Sequence, residues 1–434
     1  MKICVLGLWH LGSVTAACMA ALGHHVVGVD FDEQRVVSLS GGTAPLLEPG
    51  LEELLRSGLA SGRLRFSRTL AEAAAGAQVL WVTNDTPIGS DGEPQPDLII
   101  QQLEHVLPML DAGTLVLVSS QLPIGSIRAL QQRAAVLRSG RSVNCACLPE
   151  NLRLGSALRD FLRPDRIIVG LASTSDRHVL EELLGTIGAP IEWMSLESAE
   201  MTKHALNAFL ATSVTFANEV ASICEVVGAD AKEVERGLKS DRRIGAGAYL
   251  APGAAFAGGT LARDVGFLTG VGRARGITTP LLASILPSNA AHRLWAQKML
   301  HTLFADLSRT TIAVWGLTYK SGTDTLRESP AVELCEWILR EGAQLRVHDP
   351  VVRSLPPQWG SAVARTDSPL AAVRGAQALV LAVDWPVYRE VDGAELLQSI
   401  DQLVVLDPNR MRPDLATAAA RLRYLAVGMP RTSA

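Results

Sequence analysis

The first thirty residues place the tightest constraint on what this chain can fold into. Lys2-Ile-Cys-Val-Leu-Gly-Leu is a strand-like run that breaks on glycine. An Ala-rich stretch from about Ser13 to Leu22 reads as a helix capped by Gly23, and Val26-Val-Gly-Val-Asp30 reads as a second strand. Strand, helix and strand within ~30 residues make a βαβ unit of the size used for nucleotide binding. The turn between them is Gly7-Leu-Trp-His-Leu-Gly12. A dinucleotide fingerprint asks for G-x-G-x-x-G, in which the first glycine makes the turn, the second lets the backbone approach a pyrophosphate and the third lets the helix pack closely. Gly7 and Gly12 satisfy two of these roles, and Trp9 stands in the place of the middle glycine. Asp30 closes the second strand, where a carboxylate accepts from ribose hydroxyls and repels a 2′-phosphate. This favours NAD over NADP, with a nucleotide-binding fold that holds no dinucleotide as the alternative.

The alternation continues. Further strands are expected at Val79–Val82, Leu115–Val118 and Ile167–Val169, with helices between them. Such a pattern argues for a parallel sheet covered on both faces. From about Ser198 to Val227 there is no strand signal but one long helical pattern, and a second helical stretch runs from about Pro280 to Leu303. The opening theme then returns. Thr311-Ile-Ala-Val-Trp-Gly-Leu reads as a strand, Ala331–Gly342 as a helix ending on glycine, and Gln344-Leu-Arg-Val-His-Asp349 as a strand ending in Asp. Gly76-Ala-Gln-Val-Leu-Trp-Val-Thr-Asn-Asp-Thr-Pro87 also resembles Gly375-Ala-Gln-Ala-Leu-Val-Leu-Ala-Val-Asp-Trp-Pro386. The expected fold class is α/β, with two Rossmann-like domains (1–197 and 306–434) joined by a long central helical segment (198–305). Chance likeness of two buried strands is the alternative explanation of the repeat.

Composition bounds the function class. The chain has 434 residues, 48% of them apolar and 19% charged, which excludes a disordered chain and suits two or three domains of ~150 residues. A net charge of −4 gives no electrostatic argument for nucleic acid or an acidic membrane as a partner. No window of 18 or more uninterrupted apolar residues suggests a membrane span. The six cysteines, at 4, 18, 145, 147, 224 and 335, form no C-x-x-C pair, and no signal-peptide pattern opens the chain, so a reduced, cytoplasmic protein is expected. Cys145 and Cys147 lie on an expected strand, a setting for buried, inert thiols. His10, His204, His301 and His348 have no triad or metal spacing and read as surface or capping residues. Only six of the 40 basic residues are lysine, so Lys203 and Lys320 draw notice.

Several ordered motifs resemble the nucleotide-sugar 6-dehydrogenase family, which oxidises UDP-glucose, UDP-N-acetylmannosamine or GDP-mannose. They are Val82-Thr-Asn-Asp-Thr-Pro87, Ser120-Gln-Leu-Pro-Ile-Gly125, Pro149-Glu-Asn-Leu-Arg-Leu-Gly155, Arg163-Pro-Asp-Arg-Ile-Ile-Val-Gly170, Lys203-His-Ala-Leu-Asn207 and Gly316-Leu-Thr-Tyr-Lys-Ser-Gly-Thr-Asp-Thr-Leu-Arg-Glu-Ser-Pro330. Val214-Thr-Phe-Ala-Asn-Glu219 looks closest to the GDP-mannose branch. The resemblance spans nearly the whole chain. It implies oxidation of a sugar C6 alcohol to a carboxylate by two hydride transfers to NAD, through a thiohemiacetal and a thioester on a cysteine.

That cysteine is missing. The family segment Phe-Gly-Gly-Ser-Cys-(Phe/Leu)-Pro-Lys-Asp corresponds to Phe256-Ala-Gly-Gly-Thr-Leu-Ala-Arg-Asp264, which puts Thr260 at the nucleophile position and Arg263 at the motif lysine. A hydroxyl is a weak nucleophile without an adjacent base, and the sequence displays none. Gln121 replaces the family's threonine, and Leu154 replaces a glutamate implicated in thioester hydrolysis. The first half-reaction keeps its parts. Lys203 and Asn207, at i and i+4, share one helix face, and Lys203 can stabilise an oxyanion or serve as a base. The resemblance makes Asp264 their partner in proton removal, and lets Glu150 hold a sugar hydroxyl or a backbone.

The resemblance also implies the binding residues. The substrate would meet Glu150, Leu154, Lys203, Asn207, Lys320 and the loop Tyr249-Leu250-Ala-Pro-Gly253. The cofactor would meet Gly7, Trp9, His10, Leu11, Gly12, Asp30, Arg35 (a lysine in the family), Thr86, Gln121, Arg263 and Arg327. The central helix is the family's dimer element, and Ala211, Val214, Phe216 and Val220 would leave an apolar patch on a monomer, so a homodimer is expected. Three readings stay open: a two-electron alcohol oxidation, the full four-electron oxidation by another route, and a nucleotide-binding homologue without catalysis.

Overall fold

The computed structural model describes residues 1–87, 95–137, 143–150, 152–418 and 421–430; Asn151, inside one quoted motif, lies outside them. The chain divides into two compact units, Met1–Ala205 and Leu206–Ala434.

The first unit holds eight strands: β1 Lys2–Leu6, β2 His25–Val29, β3 Leu64–Ser67, β4 Val79–Val82, β5 Leu115–Val118, β6 Asn144–Cys147, β7 Ile167–Leu171 and β8 Ile191–Ser195. Their order is β3-β2-β1-β4-β5-β6-β7-β8. The central strands are buried on both faces, which is why they read as unbroken apolar runs. One pair departs from the expected parallel sheet, since β6 and β7 are antiparallel. The helix between them, Ala157–Leu162, has six residues and is only about 9 Å long. Most of the connection, residues 148–166, lies outside this helix, so no full helical crossover forms between the two strands.

The second unit repeats the theme with β9 Thr311–Trp315, β10 Gln344–His348, β11 Val363–Arg365, β12 Ala378–Leu381, β13 Leu403–Leu406 and β14 Leu422–Leu425, in the order β11-β10-β9-β12-β13-β14. The two segments that look alike in sequence carry β4 and β12, each paired beside the first strand of its own sheet. Local detail repeats as well. Gly7 and Gly316 share φ +91°, and Asp30 and Asp349 each accept the next residue's N–H (Leu8 and Leu317) at 2.7 Å. The repeat is therefore structural.

The central helix runs unbroken over Leu196–Val227. The second helical stretch is two helices, Pro280–Arg293 and Trp295–Leu303, separated at Leu294. The first helix begins at His10, ahead of the expected Ser13, because Trp9 takes the extended backbone of an N-cap (φ −70°, ψ −155°).

The exposed apolar stripe of the central helix differs from the expected patch. Ala211 is fully buried, and Val214 and Val220 are half-buried, whereas Phe209, Phe216 and Ile223 are 67%, 49% and 59% exposed. These three recur every seven residues and so line one face. By length and composition this helix would also suit a membrane span, yet 44% of its most apolar window is buried within the protein.

Candidate active site

In the first unit the candidate cofactor residues gather at the carboxyl ends of β1, β2, β4 and β5. The strand order reverses between β1 and β4, the place where open α/β sheets bind ligands. Gly7 has φ +91°, and a side chain on it would meet the Asn84 side chain at 2.7 Å. A Cβ on Gly12 would stand 1.7 Å from the Gly7 carbonyl, so only glycine lets this helix start against the turn. The first and third fingerprint roles are thus met by geometry.

Trp9 turns its indole to Arg35, whose guanidinium carbon lies 5.1 Å from the ring centroid, a cation–π contact. Arg35 also pairs with Asp30 at 2.7 Å. Asp30 is nearly buried and accepts from the N–H groups of Leu8 (2.7 Å) and Asp32 (3.0 Å). Its carboxylate is therefore tied to its own turn as well as available at the end of β2. No side chain caps the helix at Trp9, which leaves that start suited to a pyrophosphate. The side chain of Leu11 is buried, so only its main chain faces a ligand. These features fit a dinucleotide.

Thr86 is buried and donates its hydroxyl to the main-chain oxygen of Gln121, which locks the ends of β4 and β5 together. Lys203 donates its ammonium to the main-chain oxygen of Glu150, whose carboxylate accepts the N–H of Leu152. Glu150 thus ties down the main chain of its own segment. Leu154 is half-buried on the same segment. Two residues missed in the sequence clamp the Ser120–Gly125 turn. Glu200 accepts the N–H groups of Gly125 (2.6 Å) and Ile127 (3.1 Å), and His204 lies 3.0 Å from the Leu122 carbonyl. Burial pushes the Glu200 carboxyl above its ordinary value.

Two histidines correct the expectation of surface positions. His204 is fully buried because it serves that turn, and His348 is buried beside Tyr388, 3.2 Å from its hydroxyl. His301 is exposed, as read. His10 is 85% buried, with its ring against Glu48.

In the second unit Asn207 donates its amide to Asp264, and both are buried. Asp264 lies on the helix Gly259–Ala274, whose first turn carries Thr260, exposed, and then Arg263, half-buried. Among the described residues no side-chain base hydrogen-bonds to the Thr260 hydroxyl. The loop before this helix is held by residues that local sequence did not single out. Asn218 accepts the Gly253 N–H at 3.0 Å, and His292 lies 2.8 Å from the Gly253 carbonyl. Asn289 pairs with both main-chain groups of Phe256, and Tyr319 donates to the Ala257 carbonyl at 3.1 Å. A Cβ on Gly253 would meet the Asn409 side-chain oxygen at 2.5 Å, so that side chain would have to shift. Tyr249 is 61% exposed on this loop and Leu250 is half-buried. Lys320 is half-buried after β9, and Arg327 is exposed beside Glu328, which takes φ +56°.

The cysteines sit in settings that do not favour a nucleophile. All six are free and buried. Burial pushes the thiols of Cys4, Cys18 and Cys145 up to about 12 and that of Cys147 well above its usual range. Thiols held protonated in this way are poor nucleophiles.

Sequence models of the UDP-glucose/GDP-mannose dehydrogenase family match in three parts: its NAD binding domain over residues 1–187, its central domain over 197–291 and its UDP binding domain over 313–412. The chain belongs to the UDP-glucose/GDP-mannose dehydrogenase family. Among similar proteins, a UDP-glucose 6-dehydrogenase of Pseudomonas aeruginosa is 35% identical, the match covering 99% of this chain and 98% of that one. The Bacillus subtilis UDP-glucose 6-dehydrogenase TuaD is 30% identical over 99% and 93%. A UDP-glucose dehydrogenase structure from Pyrobaculum islandicum superposes with a TM-score of 0.88 at 30% identity, covering 98% and 97%. This family member is an NAD-dependent oxidoreductase acting on CH–OH groups.

Proposed function

We propose that this dehydrogenase oxidises the alcohol of a nucleotide-linked sugar, a UDP-sugar first among them, by two electrons to a carbonyl. The observation that carries the reading is Thr260. It stands on the first turn of its helix, four residues before Asp264, while the chain's own thiols are buried, and the motif resemblance gives its position to the family's thiol.

The chain's residues divide the work. The glycine turn, the Asp30–Arg35 pair and the first helix hold NAD, which accepts the hydride when bound. Lys203 places a positive charge where the departing proton leaves negative charge on the sugar oxygen. Asp264 takes or relays the proton, and Asn207 keeps its carboxylate oriented. The loop Tyr249–Gly253 and Lys320 hold the nucleotide. Thr260 offers a hydroxyl for hydrogen bonding to the sugar in place of a covalent bond. The six free thiols fit a reducing compartment such as the cytoplasm. The stripe Phe209, Phe216 and Ile223 fits a homodimer paired along the central helix.

A second reading has support. The Pseudomonas aeruginosa relative, matched over nearly the full length, is a UDP-glucose 6-dehydrogenase, which favours the four-electron oxidation through a hydrated aldehyde. Counting NADH per sugar consumed, across a panel of UDP- and GDP-sugars, separates the readings. One NADH per sugar supports the two-electron reaction, two overturn it, and none with any sugar leaves a binding protein.

A further inference from the structure

Glu48 plays no part in the reaction derived above, yet its side chain is only 1% exposed. It comes from the segment before the helix Leu51–Ala60. Three donors converge on its carboxylate. His10 Nε2 lies 2.9 Å from Oε2, the Gly155 N–H donates to the same oxygen at 2.8 Å, and the Ala157 N–H donates to Oε1 at 2.9 Å. A buried carboxylate is tolerable only with such donors around it. Main-chain N–H groups can only donate, so both oxygens act as acceptors. The contact from His10 therefore needs a proton on Nε2. Glu48 sets the tautomer and orientation of that ring.

The three donors belong to two functional stretches. His10 opens the first helix, directly after Trp9, on the turn assigned to the pyrophosphate. Gly155 and Ala157 close the segment that starts at Glu150, whose carboxylate accepts from Leu152 and whose carbonyl receives Lys203. One enclosed carboxylate thus spans the cofactor turn and the segment that anchors Lys203.

We propose that Glu48 is a positioning residue for this reaction, holding the cofactor turn through His10 and the Glu150 segment through Gly155 and Ala157. The inference rests on the reading of the glycine turn as an NAD site. The imidazole beside Trp9 is held by the Glu48 carboxylate.

Loss of Glu48 orphans two main-chain donors and can unfold the segment, so the decisive variants are at His10. His10→Phe keeps a ring of similar shape and removes the bond to Glu48. Its affinity for NAD, measured by calorimetry on the full chain, is expected to fall about tenfold, and the loss in turnover assays falls on KM for NAD more than on kcat. His10→Gln, whose amide N–H can reach Glu48, regains most of the affinity. Glu48→Gln turns an amide NH2 toward a main-chain N–H and raises KM for both NAD and the nucleotide-sugar. NAD affinity in His10→Phe within about twofold of wild type, or no recovery in His10→Gln, overturns the proposal. A wild-type chain that binds no NAD overturns it together with the NAD reading; unchanged binding in His10→Phe overturns this inference alone.

Discussion

The amide of Asn207 donates to the carboxylate of Asp264 across fifty-seven positions of sequence, with both side chains buried. The bond joins the central helix to the helix that carries Thr260. It orients the carboxylate to which the proposed reaction assigns the proton. Asp264→Asn keeps the shape and removes the proton acceptor, so kcat is expected to fall by roughly 10² to 10⁴. Asn207→Ala leaves Asp264 without that donor and costs about 1–3 kcal/mol of stability, read from urea denaturation, in addition to lost turnover.

Thr260→Cys places a thiol at an exposed helix N-terminus, where a thiolate is favoured. Product analysis is expected to show NADH per sugar rising from one toward two, with acid accumulating. An unchanged yield of aldehyde or ketone would mean that a thiol at position 260 does not limit the second oxidation.

Gly12→Ala places a methyl 1.7 Å from the Gly7 carbonyl. Such overpacking has to displace the helix or the turn, costing about 3 kcal/mol. The expected outcome is a lowered melting temperature together with lost NAD binding. Gly23→Ala meets no atom within 4 Å, but its φ of +97° strains any side chain, so it should lower stability without touching NAD affinity.

Asp160 receives two hydrogen bonds from Arg153 and one from Ser156, and the Arg153 guanidinium holds its carboxyl at about 2, against an ordinary 3.8. The folded value lies below the unfolded one. The stabilising contribution is therefore fully present above the ordinary value and is lost as pH falls from 3.8 toward 2. Arg153→Ala is expected to move the Asp160 titration, followed by NMR, up toward the ordinary value and to flatten this part of the acid-stability profile.

Phe209, Phe216 and Ile223 present a seven-residue stripe to solvent. Phe216→Glu with Ile223→Glu would place four carboxylates along a paired stripe. Light scattering is expected to report a dimer for the wild-type chain and a monomer for the double variant. A wild-type monomer would refute the dimer.

Where the chain's chemistry is local, it was legible in the sequence. The βαβ opening, strands such as Val79–Val82 and Leu115–Val118, and the long helix after Ser198 follow from apolar periodicity and glycine placement. Thr260 and Asp264 are singled out by their motif. Glu48, Glu200, His204, Asn218 and Tyr319 are not, because each acts on a backbone group far away in sequence, 35 residues for Asn218 and 62 or more for the others. No spacing within one element points to such a partner. The antiparallel β6–β7 pair was missed for a related reason, since strand direction depends on how far a connection reaches in space.

The sequence by itself determined a repeated α/β chain with two glycine-turned strand–helix–strand openings, the lysine and asparagine of one helix face, and a threonine in the segment that resembles the family's thiol motif. Those are matters of residue type and period. The tertiary structure alone decided that Trp9 turns to Arg35, that Asp264 meets Asn207, that the remaining thiols are sealed in apolar surroundings, and that Glu48 binds two stretches at once. Burial and long-range hydrogen bonding set those outcomes, and both depend on what folding brings alongside a residue rather than on its neighbours in the chain.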